Sequence, residues 1–258
     1  MPHCELIQQP SIHVTKADTM RRRAWFMTNK FAPLVTHLNH HDASSFFYQT
    51  VHFRALLDRL MGFDGVRIYL ASYSDEGLPG VPNNSGGLMT LIYAPVNLIA
   101  GTIMYTDSGD YYILNPGEAP TLISRSLASE WVSNYQSFKL PILTATSGLS
   151  PTDTKSILYS KEKIAELYSE LDCQEATGIR AFLTSYTDNE IQGIGSHLLR
   201  RLLVQFILTE TINGAQKEFY IEERPGWDQR KPSGHADLDT GSPCPPEKDC
   251  ESSSSLPI

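Results

Sequence analysis

Arg67, Tyr69, Tyr73 and Asp75 fall in one stretch, Gly65 to Gly77, and their counterparts Arg180, Phe182, Tyr186 and Asp188 fall in a second, Gly178 to Glu190. Six of the thirteen aligned positions are identical: Gly, Arg, Leu, Ser, Tyr and Asp. An arginine two residues from an aromatic ring is suited to an anion. The guanidinium stacks on the ring and keeps its forked donors for a carboxylate or phosphate. The plainer alternative is structural. Each arginine then pairs a carboxylate across a sheet, and Asp75 and Asp188 cap the turns that follow.

Metal chemistry has two candidate groups. His37 and His41 are four apart, on one face if their segment is helical, with His40 and Asp42 beside them. The segment lacks the glutamate of a His-Glu-x-x-His motif, and His37 answers to Ala145 in the second copy, so it stands outside the repeated design. Cys244 and Cys250 are separated by five residues, wider than the usual zinc pair, with His235, Asp237 and Asp239 upstream. Solvated loop histidines and exposed thiols are the plainer readings. Thr106 to Asp110 resembles half a calcium loop without its closing glutamate. A phosphate-cradling glycine loop and a serine nucleophile elbow are both missing, so the sequence names no cofactor.

The elements that must position these residues read as a tandem design. A helix starts at Thr15, with Asp18 in the capping position, and Met20, Ala24, Met27 and Phe31 line one face. The residue before Pro33 is expected to end it. Leu127, Trp131, Asn134 and Phe138 repeat the spacing before Pro141, with Trp25 answering to Trp131. Ser45-Phe46-Phe47-Tyr48 answers to Ser156-Ile157-Leu158-Tyr159. A second helix presents Phe53, Leu56, Leu57 and Leu60 in one copy and Ile164, Leu167, Tyr168 and Leu171 in the other. Strands follow at Val66–Tyr73 and Ile179–Tyr186, at Leu88–Val96 and Leu202–Thr209, and at Asp110–Leu114 and Glu218–Glu222. The expected class is α+β: two helix-helix-strand-strand-strand repeats with antiparallel sheets, open to a pseudo-twofold arrangement. The repeats span 15–117 and 122–226. Residues 227–258, rich in Asp, Ser, Pro, Gly and Lys, are expected to be a disordered tail.

These features resemble an uncharacterised bacterial family common in Bacteroidetes-type genomes. The resemblance rests on Trp131, Asn134 and Tyr135, on the strand Gly178, Ile179, Arg180 and Phe182, and on Pro243, Cys244, Pro245 and Pro246. It implies the fold and carries no catalytic residue. In the first copy Lys30 stands where the resemblance would have Tyr.

Composition bounds the rest. Hydrophobic residues make up 41% and charged residues 19%, as in a soluble globular protein. A net charge of −8 disfavours nucleic acid and acidic membranes as partners. The apolar run Leu88 to Met104 is interrupted by Pro95, Asn97 and Gly101, so it does not span a membrane. Met1 to Glu5 lacks the start of a secretory signal, which makes the cytoplasm the expected location. The leading expectation is a non-catalytic binding or assembly protein whose partner is another protein or a second copy of itself. The alternatives are a hydrolase-class enzyme between the repeats, using Arg67 or Arg180 with Asp75 or Asp188, and a metal-binding regulator.

Overall fold

The computed structural model describes residues 15–102, 104–148, 152–173, 176–188, 198–218, 220, 242–244 and 256. Helix α1 (Lys16–Phe26) starts where the sequence sets its cap, for the Thr15 side chain accepts from the Asp18 backbone N–H at 3.1 Å. It does not stop before Pro33, as expected. A five-residue π-turn, Met27–Phe31, shifts the hydrogen-bond register, and the chain runs on as α2 (Ala32–Leu38) until Asn39 turns left-handed at φ 53°. The shift puts Pro33 at the second position of α2, in a first turn where a missing N–H costs little. Helix α4 (Arg125–Asn134), capped by Ser124, does the same. It passes through a π-turn at Tyr135–Lys139 into α5 (Leu140–Ser147), with Pro141 in its first turn and Gly148 ending it at φ 62°.

After α2 come β1 (Ser45–Gln49), α3 (Thr50–Leu60), β2 (Gly65–Ser72) and β3 (Met89–Leu98). After α5 come β7 (Ser156–Ser160), α6 (Lys161–Cys173), β8 (Gly178–Ser185) and β9 (Leu202–Ile212). The first run continues into β4 (Tyr105–Asp107), β5 (Tyr111–Ile113) and β6 (Thr121–Ile123), the second into β10 (Ala215–Glu218). The third strand expected at Glu218–Glu222 is met at Glu218 only; Phe219, Ile221 and Glu222 lie outside the described residues.

The described strands, with β11 at Ser242–Cys244, form two antiparallel sheets, ordered β1-β8-β9-β10 and β11-β7-β2-β3-β5-β6, with β4 paired to β3. The short strands β1 and β7 each pair with a strand of the other run. β1 pairs β8 with Phe47 opposite Arg180, and β7 pairs β2 with Leu158 opposite Arg67. This cross-pairing explains the two glycines that open the matched stretches. A Cβ on Gly65 would lie 2.5 Å from the Tyr159 carbonyl oxygen, and one on Gly178 would lie 2.5 Å from the Phe47 ring. Only glycine lets the incoming strand lie so close.

One hydrophobic cluster takes Phe53, Leu56 and Leu60 from α3, Ile164 and Leu171 from α6, Val66, Ile68 and Leu70 from β2, and Ile179 and Leu183 from β8. The two runs therefore share a core. The opposite face of β2, with Tyr69, Ala71 and Tyr73, packs under α4 through Trp131 and Val132 in a second cluster. The strand is buried on both faces, so its alternation separates two cores instead of core from solvent.

Residues 227–258 correct the expectation of a structureless tail where they are described. β11 (Ser242–Cys244) pairs with β7 and forms the outer strand of the larger sheet, and Leu256 is buried in the second cluster. Composition misled because a bare strand edge supplies backbone partners that need no apolar side chains.

Candidate functional site

Two buried lysines tie the scaffold together. Lys30, at the fourth position of the first π-turn, pairs with Asp153 just ahead of β7. Lys139, the last residue of the second π-turn, pairs with Asp42 ahead of β1. The carboxylates have the same remaining partners. Asp42 Oδ1 accepts from the backbone N–H of Ala43 and of Met89, both at 2.7 Å. Asp153 Oδ1 accepts from Thr154 at 2.7 Å and from Leu202 at 2.9 Å. Each aspartate thus links a π-turn to the first residue of a long strand. Burial pulls both lysines below the ordinary ammonium range, while Asp153 and Asp42 pull them back up. Lys30 also donates to Ser147 Oγ.

A cavity of about 360 Å³ opens between the end of β2, the turn at Gly87, the end of α2 and the second π-turn. Ser72, Tyr73 and Ser74 form one wall, and Lys139, Asn134 and Phe138 another. Leu38 and His40 close the side under α2. Ser72 is 2% exposed. Its hydroxyl and that of Ser74 are buried without a hydrogen-bond partner. The Tyr73 hydroxyl is occupied: it accepts from Thr90 Oγ1 at 3.0 Å and donates to Asn115 Oδ1 at 3.2 Å, and its ring meets Trp131 edge-on at 4.8 Å. Burial raises its phenol above the ordinary value. His40 Nδ1 lies 2.6 Å from the His41 carbonyl and donates to it, which leaves Nε2 as the second polar atom of the ring. Gly87 has φ 75° and a Cβ there would meet nothing within 4 Å, so this wall is open.

The sequence-derived candidates divide. Arg67 is 1% exposed and donates to Asp107 at 3.0 Å and to the Tyr105 carbonyl at 3.2 Å, and Tyr69 donates to the same carboxylate. That cluster is a buried structural pair, its guanidinium engaged by Asp107 and the Tyr105 carbonyl. Arg180 is partly exposed over the rings of Phe47 and Phe182, 3.9 Å from Glu218, and can donate to Ser45 Oγ at 3.4 Å. Arg23 lies over the Phe182 ring at 3.6 Å and takes the closer contact with Glu218, 2.8 Å. Tyr186 is buried beneath Arg22, 4.7 Å from its ring centre. Asp75 is exposed. Asp188 accepts two hydrogen bonds from Arg200, at 2.7 and 2.9 Å, which hold its carboxyl below the ordinary range. Of the residues named for hydrolysis, Arg67 thus pairs with Asp107, and Asp188 with Arg200.

His37 sits in the last turn of α2 and His41 beyond it; among the described residues no three His, Cys, Asp or Glu gather as a metal would need. Cys244 lies in β11, and Cys250 lies outside the described residues. Of the eight Arg-aromatic and aspartate candidates, Tyr73 lines the cavity. The lysine–aspartate pairs were missed, although a signal existed. Asp42 and Asp153 each stand three residues before the serine of the matched Ser45 and Ser156 segments. Among the described residues no helix is long and apolar enough to cross a membrane. Comparison of the chain with protein-family models, with curated proteins and with solved structures returns no match.

Proposed function

We propose that the protein is a non-catalytic binding protein made of two copies of one helix–strand unit, and that it takes a small ligand in the cavity walled by Ser72, Ser74 and Lys139. The observation that carries the reading is the Ser72 hydroxyl, buried at 2% exposure beside a cavity of about 360 Å³ and without a hydrogen-bond partner. Leaving such a hydroxyl unpaired costs roughly 1–3 kcal/mol, which a ligand that bonds it returns as affinity. Binding suits the wall better than catalysis does. Its ammonium group, Lys139, is held by Asp42, so it is a poor free base or nucleophile.

The two-copy reading rests on the matched element order, the paired glycines and the reciprocal lysine–aspartate links. It makes the molecule a pseudo-twofold pair that has exchanged β1 and β7. A screen of a small-molecule library by thermal shift tests the binding reading. Compounds that raise the melting temperature of the full chain should lose that effect in Ser72→Ala, with the unliganded melting temperature little changed. Hits that stabilise Ser72→Ala as strongly as the parent would refute this site.

A further inference from the structure

The lining of this cavity carries a ligand class. We infer that it accepts a neutral polyhydroxylated molecule about the size of one hexose; this rests on the binding reading above. Charge comes first. The Lys139 ammonium is met by Asp42, and their side chains are 3% and 0% exposed, so the pair presents no net charge to the cavity. None of the side chains that line the cavity is an arginine. A phosphate or carboxylate would enter without the forked donor that recognises it, and without a charge to offset its lost hydration.

Hydrogen-bond type comes second. Ser72 and Ser74 can each donate and accept, and so can the Asn134 amide, while His40 keeps Nε2 after Nδ1 is used. A ligand hydroxyl also donates and accepts, so a polyol can pair with each of these groups in either direction. A carboxylate can only accept, and would leave their acceptor capacity unmet.

Shape comes third. Phe138 stands on the wall with 64% of its surface exposed, and the Tyr73 ring and Leu38 add apolar surface. A sugar ring presents a C–H face to such a surface and its hydroxyls at its edge. The cavity, about 360 Å³, has room for one hexose ring.

Calorimetric titration of the full chain tests this with glucose, galactose, mannose and myo-inositol on one arm and inorganic phosphate, acetate and citrate on the other. At least one polyol should bind saturably, with affinity reduced about tenfold by Ser72→Ala and again by Phe138→Ala. Amide shifts of Gly87 and Asn134 should move with that polyol. Binding of phosphate, acetate or citrate that depends on Ser72, with no polyol binding, would overturn the ligand class and leave the site standing. Polyol binding indifferent to Ser72 and Phe138 would overturn the site and the class together. Silence from every probe would overturn the class, since a site of this lining should hold one of these rings at millimolar concentration; the library screen would still test the site.

Discussion

Removing either member of the Lys30–Asp153 pair should nearly unfold the protein, and removing both in a matched way should not. Both side chains are 0% exposed. Lys30→Met leaves a buried carboxylate without its ammonium. Asp153→Asn leaves a buried ammonium facing an amide. Each single change should cost about 3–5 kcal/mol, the usual penalty for half of a broken buried pair. Total stability of a domain is about 5–15 kcal/mol, so each loss is a large share. The double variant differs in kind. Its new asparagine would keep an Oδ1 for the backbone N–H groups of Thr154 and Leu202, now 2.7 and 2.9 Å from the aspartate, and its amide would face an uncharged methionine. The double loss should fall short of the summed single losses by at least about 2 kcal/mol. Urea melts with unchanged m-values measure this directly. Single losses below about 1 kcal/mol, or strictly additive losses, would refute the view that this pair is a dry coupled clamp. Lys139→Met and Asp42→Asn should reproduce the pattern.

Arg67→Ala should destabilise by roughly 3 kcal/mol, because Asp107 is left buried and charged. Arg180→Ala, whose ion pair is partly exposed, should cost no more than about 1 kcal/mol; equal losses in urea melts would contradict the buried/exposed distinction. Truncation after Gly241 should lower the melting temperature, since it removes β11 and the buried Leu256. Leu256→Ala alone should cost about 2–3 kcal/mol, and an unchanged melting midpoint in both would show that the end of the chain does not hold the sheet. Alkali should unfold the protein. Burial raises the phenols of Tyr48, Tyr93 and Tyr135 above their ordinary 10.0, so above that pH the folded chain holds more protons than the unfolded one and stability falls. Lys30 and Lys139 act oppositely, because their lowered values mean fewer protons in the folded chain up to the ordinary 10.5. The fall should therefore be steepest above pH 10.5, and phenolate absorbance should appear together with unfolding; full titration of these tyrosines in a folded chain would refute it.

Local pattern was legible where local forces decide. Thr15 with Asp18 set the start of α1, and the alternation in Val66–Leu70 separated the two faces of β2 correctly. Non-local pairing was hidden. Ser45–Tyr48 and Ser156–Tyr159 are too short to declare themselves as strands, and nothing local says that each pairs with a strand of the other run. The helix end before Pro33 failed for a related reason: a π-turn absorbs the proline, and that turn carries a buried lysine whose partner lies 123 residues away. The register also hid a match. Aligning lysine with lysine sets Arg22, not Trp25, opposite Trp131, and the structure gives both the same task, capping Tyr186 in one run and Tyr73 in the other.

That match bears on why a cavity lies beside Tyr73. If the molecule is two copies of one unit, its scaffold is shared and its function lies where the copies differ. The spacing that carries Gly65 to Gly178 carries Gly87 to Arg200, and both adopt a left-handed backbone, φ 75° and 62°. On the first side a residue without a side chain leaves the wall open beside Ser72 and Ser74. On the second, the Arg200 side chain crosses from Asp188 to the Ser147 carbonyl, over the position that answers to the open wall. A left-handed arginine carries strain that glycine does not, so its salt bridge has to offset a backbone cost of about 1 kcal/mol or more. The aromatic floor differs in the same sense. Trp131 supplies an uncharged ring against Tyr73 where Arg22 brings a cation against Tyr186. One side has become a charged, closed joint. The other keeps an uncharged ring and an open glycine wall, and under the proposed binding reading that difference, rather than the buried hydroxyls (Ser185, the counterpart of Ser72, also lacks a partner), is what separates the two sides.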